Sequence, residues 1–206
     1  MSEGFPPLEA PAATDARDRL YAGTYDCVAR FGLSKTTIDD VARASGLSRA
    51  TIYRTFPGGR DQLLRETVGW EMTRFFARLA DAIADAPDLE TRLVRGLAFA
   101  HRSVVEHAVL QKVLATEPEA LLPLMTIEQH RVLGYITEYL RPLLASERDR
   151  GRLRPDVDLD LAADYLARML LSLIGTPGRW DLDDPREVRR LVRGELLGPL
   201  VTSPLP

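Results

Sequence analysis

Thr37, Ser48, Arg49, Ala50, Thr51, Tyr53, Arg54 and Arg60 lie close together in the chain, and their side chains suit the surface of a nucleic acid. The guanidinium forks of Arg49 and Arg54 fit guanine edges or phosphates through paired N–H donors. Thr51 can bond a base edge or a phosphate, while Ala50 permits close approach and offers a methyl to thymine. Tyr53 presents a phenolic hydroxyl to a phosphate. Thr37, Ser48 and Arg60 stand at predicted helix starts, where unpaired N–H groups and the positive dipole end favour an anion. Thr and Ser cap helices in any helical protein, so the joint spacing carries the signal and no single residue does.

The charge is placed to match. Across residues 34–65, Lys35, Arg43, Arg49, Arg54, Arg60 and Arg65 outnumber Asp39, Asp40 and Asp61, within a chain whose net charge is -3. A focused basic patch on an acidic protein is what binding to duplex DNA requires. Lys35 and Lys112 are the only lysines among the 27 cations, a chain-wide bias toward arginine that says little about any one site.

The elements that must hold these residues are helical. A first helix follows Thr14 and runs to Phe31, with Leu20, Thr24, Cys27, Val28 and Phe31 on one stripe, and Gly32-Leu33 ending it. A second starts at Thr37 with Asp40 as its capping-box acid, turns Ile38, Val41 and Ala42 inward, and stops at Gly46. Leu47 packs the corner. A third runs from Ser48 to Phe56, because Pro57 cannot continue it. At about 100° per residue, Ile52, Thr55 and Phe56 share its inner face. Ala50 and Arg54 point the other way, with Thr51 and Tyr53 on the flanks. This is a helix-turn-helix whose second helix would enter the major groove.

The run Thr36-Thr37-Ile38-Asp39-Asp40-Val41-Ala42-Arg43-Ala44-Ser45-Gly46-Leu47-Ser48-Arg49-Ala50-Thr51-Ile52-Tyr53-Arg54-Thr55-Phe56 resembles the DNA-binding segment of the tetracycline-repressor (TetR) family. Phe31-Gly32-Leu33 before it and Phe56-Pro57-Gly58-Gly59-Arg60-Asp61-Gln62-Leu63-Leu64 after it match as well, so the likeness covers about residues 15–65. It implies an all-α fold, with an N-terminal three-helix DNA-binding domain followed by a larger helical ligand-binding and dimerisation domain. It also implies contacts to DNA from Arg49, Ala50, Thr51, Tyr53 and Arg54, with Thr37, Ser48 and Arg60 on the backbone. Arg54 departs from the aromatic residue or His that the family often has there.

Beyond residue 65, helical patterns cover about 62–84, 88–107, 110–116, 120–149, 159–175 and 185–198, with stops at Pro118, Gly151, Pro155 and Thr176-Pro177-Gly178. The expected organisation is a flexible tail over 1–13, the DNA-binding domain over 14–65 and the regulatory domain over 66–206. Leu159, Ala162, Ala163, Leu166, Met169, Leu170 and Leu173 line one side of the penultimate helix, and Val188, Leu191, Val192, Leu196 and Leu200 one side of the last. Such stripes are core in a plain helical bundle. The resemblance implies a four-helix dimer seam. Trp70, Phe75, Phe76, Phe99, Met125, Tyr135, Tyr139, Tyr165 and Met169 are candidates for a pocket that takes an apolar effector, lipid-like or aromatic.

Other chemistries find little support. His101, His107 and His130 lack metal-ligand spacing, and the Asp156-x-Asp158-x-Asp160 start of a calcium loop fails at Leu161 and Ala167. No nucleophile-base pair or phosphate loop is apparent, so neither a cofactor nor an enzyme activity is expected. The lone Cys27 precludes an internal disulfide and suits a reducing cytoplasm. No membrane association is expected, because Asp160, Asp164 and Arg168 interrupt the most apolar stretch. The reading is a ligand-responsive repressor, homodimeric on a palindromic operator. Its alternatives are a constitutive DNA-binding factor and an enzyme on the C-terminal bundle.

Overall fold

The computed structural model describes residues 15–202, apart from the side chains of Asp15, Met125, Ile127 and Glu128. The expected tail over 1–13 and the Thr14 cap lie outside the described residues. The chain forms α1 (Asp15–Phe31), α2 (Ile38–Ser45), α3 (Arg49–Thr55), α4 (Gly59–Ile83), α5 (Leu89–Val105), α6 (Ala108–Thr116), α7 (Pro118–Asp149), α8 (Leu159–Gly175) and α9 (Pro185–Leu191). The last helix relaxes into π-type hydrogen bonding over Val192–Leu197. The all-α expectation is met. Pro118, expected as a stop, instead opens α7, a position where its missing N–H costs nothing.

Two compact units emerge. One takes residues 15–76 and 107–128; the other takes 77–106 and 129–202. Helices α4 and α7 each contribute to both.

In the first unit, α2 and α3 are held against α1 by a small closed core. Leu20, Tyr21, Cys27, Ile38, Val41, Ile52, Phe56 and Leu63 are buried together, with Ala42, Leu47 and Trp70 packed against them. Gly23 lets the α1 and α2 backbones approach, since a Cβ there would meet the Ser45 backbone N at 3.0 Å. Cys27 is buried, and burial, followed by the nearby charges of Asp40 and Asp26, pushes its thiol up. Such a thiol is a poor redox sensor. Phe31, expected on the buried stripe, is 44% exposed where α1 ends, with the Arg30 guanidinium 5.6 Å from its ring centroid.

A polar tie backs this core. The Tyr21 hydroxyl donates to Glu66 Oε2 (2.8 Å), and Arg17 Nη1 donates to the same oxygen (2.9 Å) and to the Tyr21 oxygen (3.2 Å). Arg17 also lies 5.2 Å from the Phe56 ring centroid and donates to the Thr55 carbonyl at 3.4 Å. One cluster therefore joins α1, the end of α3 and α4.

In the second unit, α5 packs against α8, α9 and the π-helical end. Ala162, Ala163, Leu166 and Leu173 of α8 are buried there, as are Val188, Leu191, Val192, Leu196 and Leu200. The stripes named from the sequence are thus largely core of their own unit, which is the plain-bundle reading. Leu161, on another face of α8, is 71% exposed.

Replacing Glu66 by Ala strips a partly buried Arg and a buried Tyr of their acceptor. A loss of roughly 1–3 kcal/mol in denaturant unfolding is expected. Burial, then the bond to Glu66, raises Tyr21 from 10.0 to about 12. Because the folded value lies above the unfolded one, this stabilisation is whole below pH 10.0 and is lost as pH rises through about 12. Ultraviolet titration of the native protein should show a late-ionising tyrosine phase that Tyr21→Phe diminishes; a late phase unaltered by that substitution would contradict the tie.

Candidate nucleic-acid interface

Helix α3 is short, at 7 residues, and the sequence sets both of its ends. Ser48 caps it, its hydroxyl oxygen accepting from the Thr51 N–H at 3.1 Å and lying 3.0 Å from the Thr51 hydroxyl. Phe56 closes it before Pro57, donating its N–H to the Ile52 carbonyl at 2.7 Å. Ile52 and Phe56 are both 0% exposed, so rotation about the helix axis is blocked from behind. Arg49, Ala50, Tyr53 and Arg54 are consequently exposed, with Thr51 at the margin. Tyr53 is 47% exposed, and its ring lies alongside Gly59, whose positive φ of 64° opens α4.

Helix α2 begins as its sequence foretells. Thr37 accepts from the Asp40 N–H at 3.2 Å and donates its own N–H to the Asp40 carboxylate at 3.1 Å, a complete capping box. The Thr37 hydroxyl bond first, with the Thr37 N–H and Arg43, holds the Asp40 carboxyl below its usual range. Gly46 ends the helix at φ 66°, and Arg19 of α1 reaches its last turn, donating to the Ser45 carbonyl at 2.8 Å.

The exposed cations differ in how firmly they are held. Arg49 lies 3.1 Å from Asp39, with both side chains mostly exposed. A pair of that kind contributes only ~0.2–1 kcal/mol, so Arg49 can exchange Asp39 for another anion at little cost. Arg54 has no ion pair among the described residues. Arg60 behaves otherwise. Its Nε donates to the Thr36 carbonyl at 2.7 Å, one Nη to the Leu33 carbonyl, and the other to Asp61 at 3.1 Å. The residue read from sequence as a phosphate contact is spent as a strut between α4 and the α1–α2 loop. Arginine at a helix start signals both roles, and only the fold reveals which carbonyls lie within reach.

Two positioning residues have no sequence signal at all, because their partners lie more than 80 positions away. Lys112 of α6 donates to the Ala29 carbonyl at 2.7 Å, capping the negative end of α1. Glu117, just past α6, accepts the Leu33 N–H at 3.1 Å and the Ser34 N–H at 2.7 Å. These contacts set the loop from which Thr37 starts α2. Val28, Leu33, Leu64, Val113 and Leu121 bury a second apolar cluster beneath them.

The pocket candidates scatter. Trp70 packs against the core below α3, 5.9 Å from Tyr21, and Phe75 and Phe76 stack edge to face at 5.2 Å. All three belong to the first unit, whereas Phe99, Tyr135, Tyr139, Tyr165 and Met169 belong to the second. The Met125 side chain lies outside the described residues. A cavity of about 60 Å³ in the second unit is lined by Tyr139 but by none of the other candidates. Tyr165 instead bonds the Glu195 carbonyl. Aromatic residues mark burial, and a filled core shares that composition with a void.

The remaining sequence motifs resolve into caps. Asp158 accepts the Asp160 and Leu161 N–H groups at the start of α8, and His107 accepts the Leu110 N–H at the start of α6. His101 bonds the Ile174 carbonyl at 3.1 Å, and His130 is exposed on α7. Among the described residues, no helix is long and apolar enough to cross a membrane.

Comparison with known proteins places this geometry. The pattern of bacterial regulatory proteins of the tetR family matches residues 20–67, the span that holds α2 and α3. The chain is 26% identical over 182 residues to the HTH-type transcriptional regulator AlkX of Mycobacterium tuberculosis, covering 85% of this chain and 82% of that one. It is 25% identical over 170 residues to the HTH-type transcriptional repressor AcnR of Corynebacterium jeikeium, covering 79% and 82%. Among solved structures, the TetR family repressor AlkX from Dietzia, implicated in biodegradation of n-alkanes, superimposes with a TM-score of 0.60 at 25% identity, covering 88% and 95%.

The loop clamp is testable by pH and by substitution. Hydrogen bonds from Ser34, side chain before backbone, then the Leu33 N–H and Lys35, hold the Glu117 carboxyl below its ordinary 4.5. Its stabilisation is therefore whole above that value and is lost only as pH falls through the lower folded one. The Leu33 and Ser34 amide resonances should stay unchanged down to about pH 4.5 and move together below it. Movement near neutrality would show that Glu117 is not their acceptor. Gly32→Ala combines a φ of +89° with a Cβ 1.9 Å from Glu117 Oε1. A loss exceeding ~1 kcal/mol is expected.

Proposed function

Because this chain belongs to the TetR family of transcriptional regulators, and is a regulator and not an enzyme, we propose that it is a ligand-responsive repressor. In this reading it binds a palindromic operator as a homodimer, acts in the cytoplasm, and is released by a small apolar effector. The observation that carries the DNA reading is the orientation of α3. Ile52 and Phe56 are sealed behind it while Arg49, Ala50, Tyr53 and Arg54 face outward. Arg49 and Arg54 address bases or phosphates, Ala50 and Thr51 lie against base edges, and Tyr53 reaches the backbone. Thr37 and Ser48 approach phosphates at the two helix starts, with their hydroxyls already ordering those turns. Arg60 contributes indirectly, by fixing the loop that carries Thr37.

A repressor sense is supported by the names of the Corynebacterium AcnR and Dietzia AlkX proteins, both called repressors. An apolar effector is in keeping with the Dietzia protein's being implicated in biodegradation of n-alkanes and with the apolar cavity of the second unit. The homodimer follows from contact arithmetic, since one 7-residue helix offers too few base contacts to single out a genomic site. Two-fold symmetry then requires half-sites about one helical turn apart, or a multiple of it. In this reading the chain divides into a DNA-binding part over 14–65 and a regulatory part over 66–206. Effector release needs only a lower operator affinity in the liganded form, about 1.4 kcal/mol per tenfold.

The 60 Å³ cavity favours one second reading, a constitutive factor with a filled core. Native mass spectrometry separates the two, since a retained small molecule excludes it.

Selection of bound duplexes from a random library tests the whole proposal: a palindrome is expected, and indifference to every duplex at low salt would end it. Arg54→Ala should cost roughly 1–3 kcal/mol at particular base pairs. An equal loss on all sequences would make Arg54 a phosphate contact. Arg60→Ala should lower the melting temperature and weaken binding while leaving the salt slope unchanged, whereas a direct phosphate contact would flatten it by about one unit.

A further inference from the structure

Of the three acids within residues 34–65, two have evident tasks in the fold. Asp40 closes the capping box of α2 and pairs with Arg43, and Asp61 pairs with Arg60 at 3.1 Å. Asp39 has neither task. It stands exposed in the first turn of α2, and its partner among the described residues lies ten positions on, in α3. Arg49 Nη1 is 3.1 Å from Asp39 Oδ1 and 3.4 Å from Oδ2, so one nitrogen spans both oxygens. A first-turn acid favours the helix dipole whatever it faces. That leaves the bond to Arg49 unexplained.

The position matters to a DNA reader. The first helix of a helix-turn-helix crosses the phosphate backbone, and the start of the second enters the groove. A carboxylate between them repels phosphates and occupies a cation that would otherwise bind one. A guanine edge offers two neutral acceptors, and so brings no charge against Asp39. With Nη1 on Asp39, the Nε–Nη2 edge of the fork faces no carboxylate and can hold such a base. We propose that Asp39 is a specificity-determining residue, which restrains Arg49 from phosphates at random sequence and presents it to a base. The proposal rests on the DNA reading above and adds an acid whose loss tightens non-specific binding. An exposed pair is weak, yet on a homodimer its effect applies twice, against a genome of competing sites.

Affinity of the full chain for a short random-sequence duplex, measured across salt concentrations, tests it. Asp39→Asn should bind that duplex roughly twofold to tenfold tighter than wild type. Its salt slope should steepen by about one unit as Arg49 gains a phosphate. On the duplex recovered by selection the gain should be smaller, so discrimination falls, and Asp39→Glu should restore most of it. With Arg49→Ala in place, the change of slope should vanish and most of the gain with it. Arg49→Ala alone should weaken the selected duplex and barely alter the random one, a comparison that needs no change at Asp39. Asp26→Asn removes the same charge from an exposed site on α1 and controls for net charge. Unchanged affinity for the random duplex in folded Asp39→Asn would leave Asp39 a helix-dipole acid and overturn the proposal. So would a gain that survives Arg49→Ala in full, or an equal gain from Asp26→Asn. In each case wild-type binding keeps the DNA reading intact. If the wild type ignores every duplex at low salt, both fall.

Discussion

The burial of Ile52 and Phe56 against α1 is the constraint on which the outward face of α3 depends. These two side chains occupy positions four apart on a helix too short to be stable alone. Removing them from water contributes ~1.5–3 kcal/mol each and fixes the rotation of α3 about its own axis. With that rotation set, the outward direction of Arg49, Ala50 and Arg54 is no longer a free choice. Tyr21 serves both sides of the arrangement, packing its ring 5.7 Å from Phe56 while its hydroxyl joins Arg17 and Glu66.

Polar contacts then refine what burial allows. The α1–α2 loop is held from three directions, by Arg60 on its carbonyls, by Glu117 on its N–H groups, and by Lys112 on the preceding helix end. Each matches the sign of the backbone group it meets, cation to carbonyl and anion to N–H. A loop so tied cannot drift, and Thr37 begins α2 at a fixed place. The basic surface is thereby reduced in one respect, since Arg60 turns inward. What remains exposed is weakly held, as with Arg49, or without an ion pair among the described residues, as with Arg54. Cations so disposed exchange protein carboxylates for phosphates at little cost.

The second unit shows the opposite economy. Its helices bury the apolar stripes that sequence patterning would have offered to a partner, leaving Leu161 outside. Glu147 pairs with Arg150 and Arg152, and Glu90 with Arg189 and Arg193, whereas Arg92 donates to the Tyr139 hydroxyl and the Ala86 carbonyl.

Local signals were legible in the sequence wherever the physics is local. The Thr37–Asp40 capping box, the Ser48 cap, the Gly46 stop and the inner face of Ile52 and Phe56 all involve partners within a few positions, so residue type and spacing determine them. The all-helical class and most helix boundaries follow for the same reason. Tertiary structure decided the rest. Arg60 as strut, Glu117 and Lys112 as clamps, and Arg92 on the Tyr139 hydroxyl depend on which distant groups the fold brings near. Trp70 as core and Tyr139 as cavity wall cannot be told apart by composition, because apolar character records exclusion from water and is blind to whether the space beyond is filled.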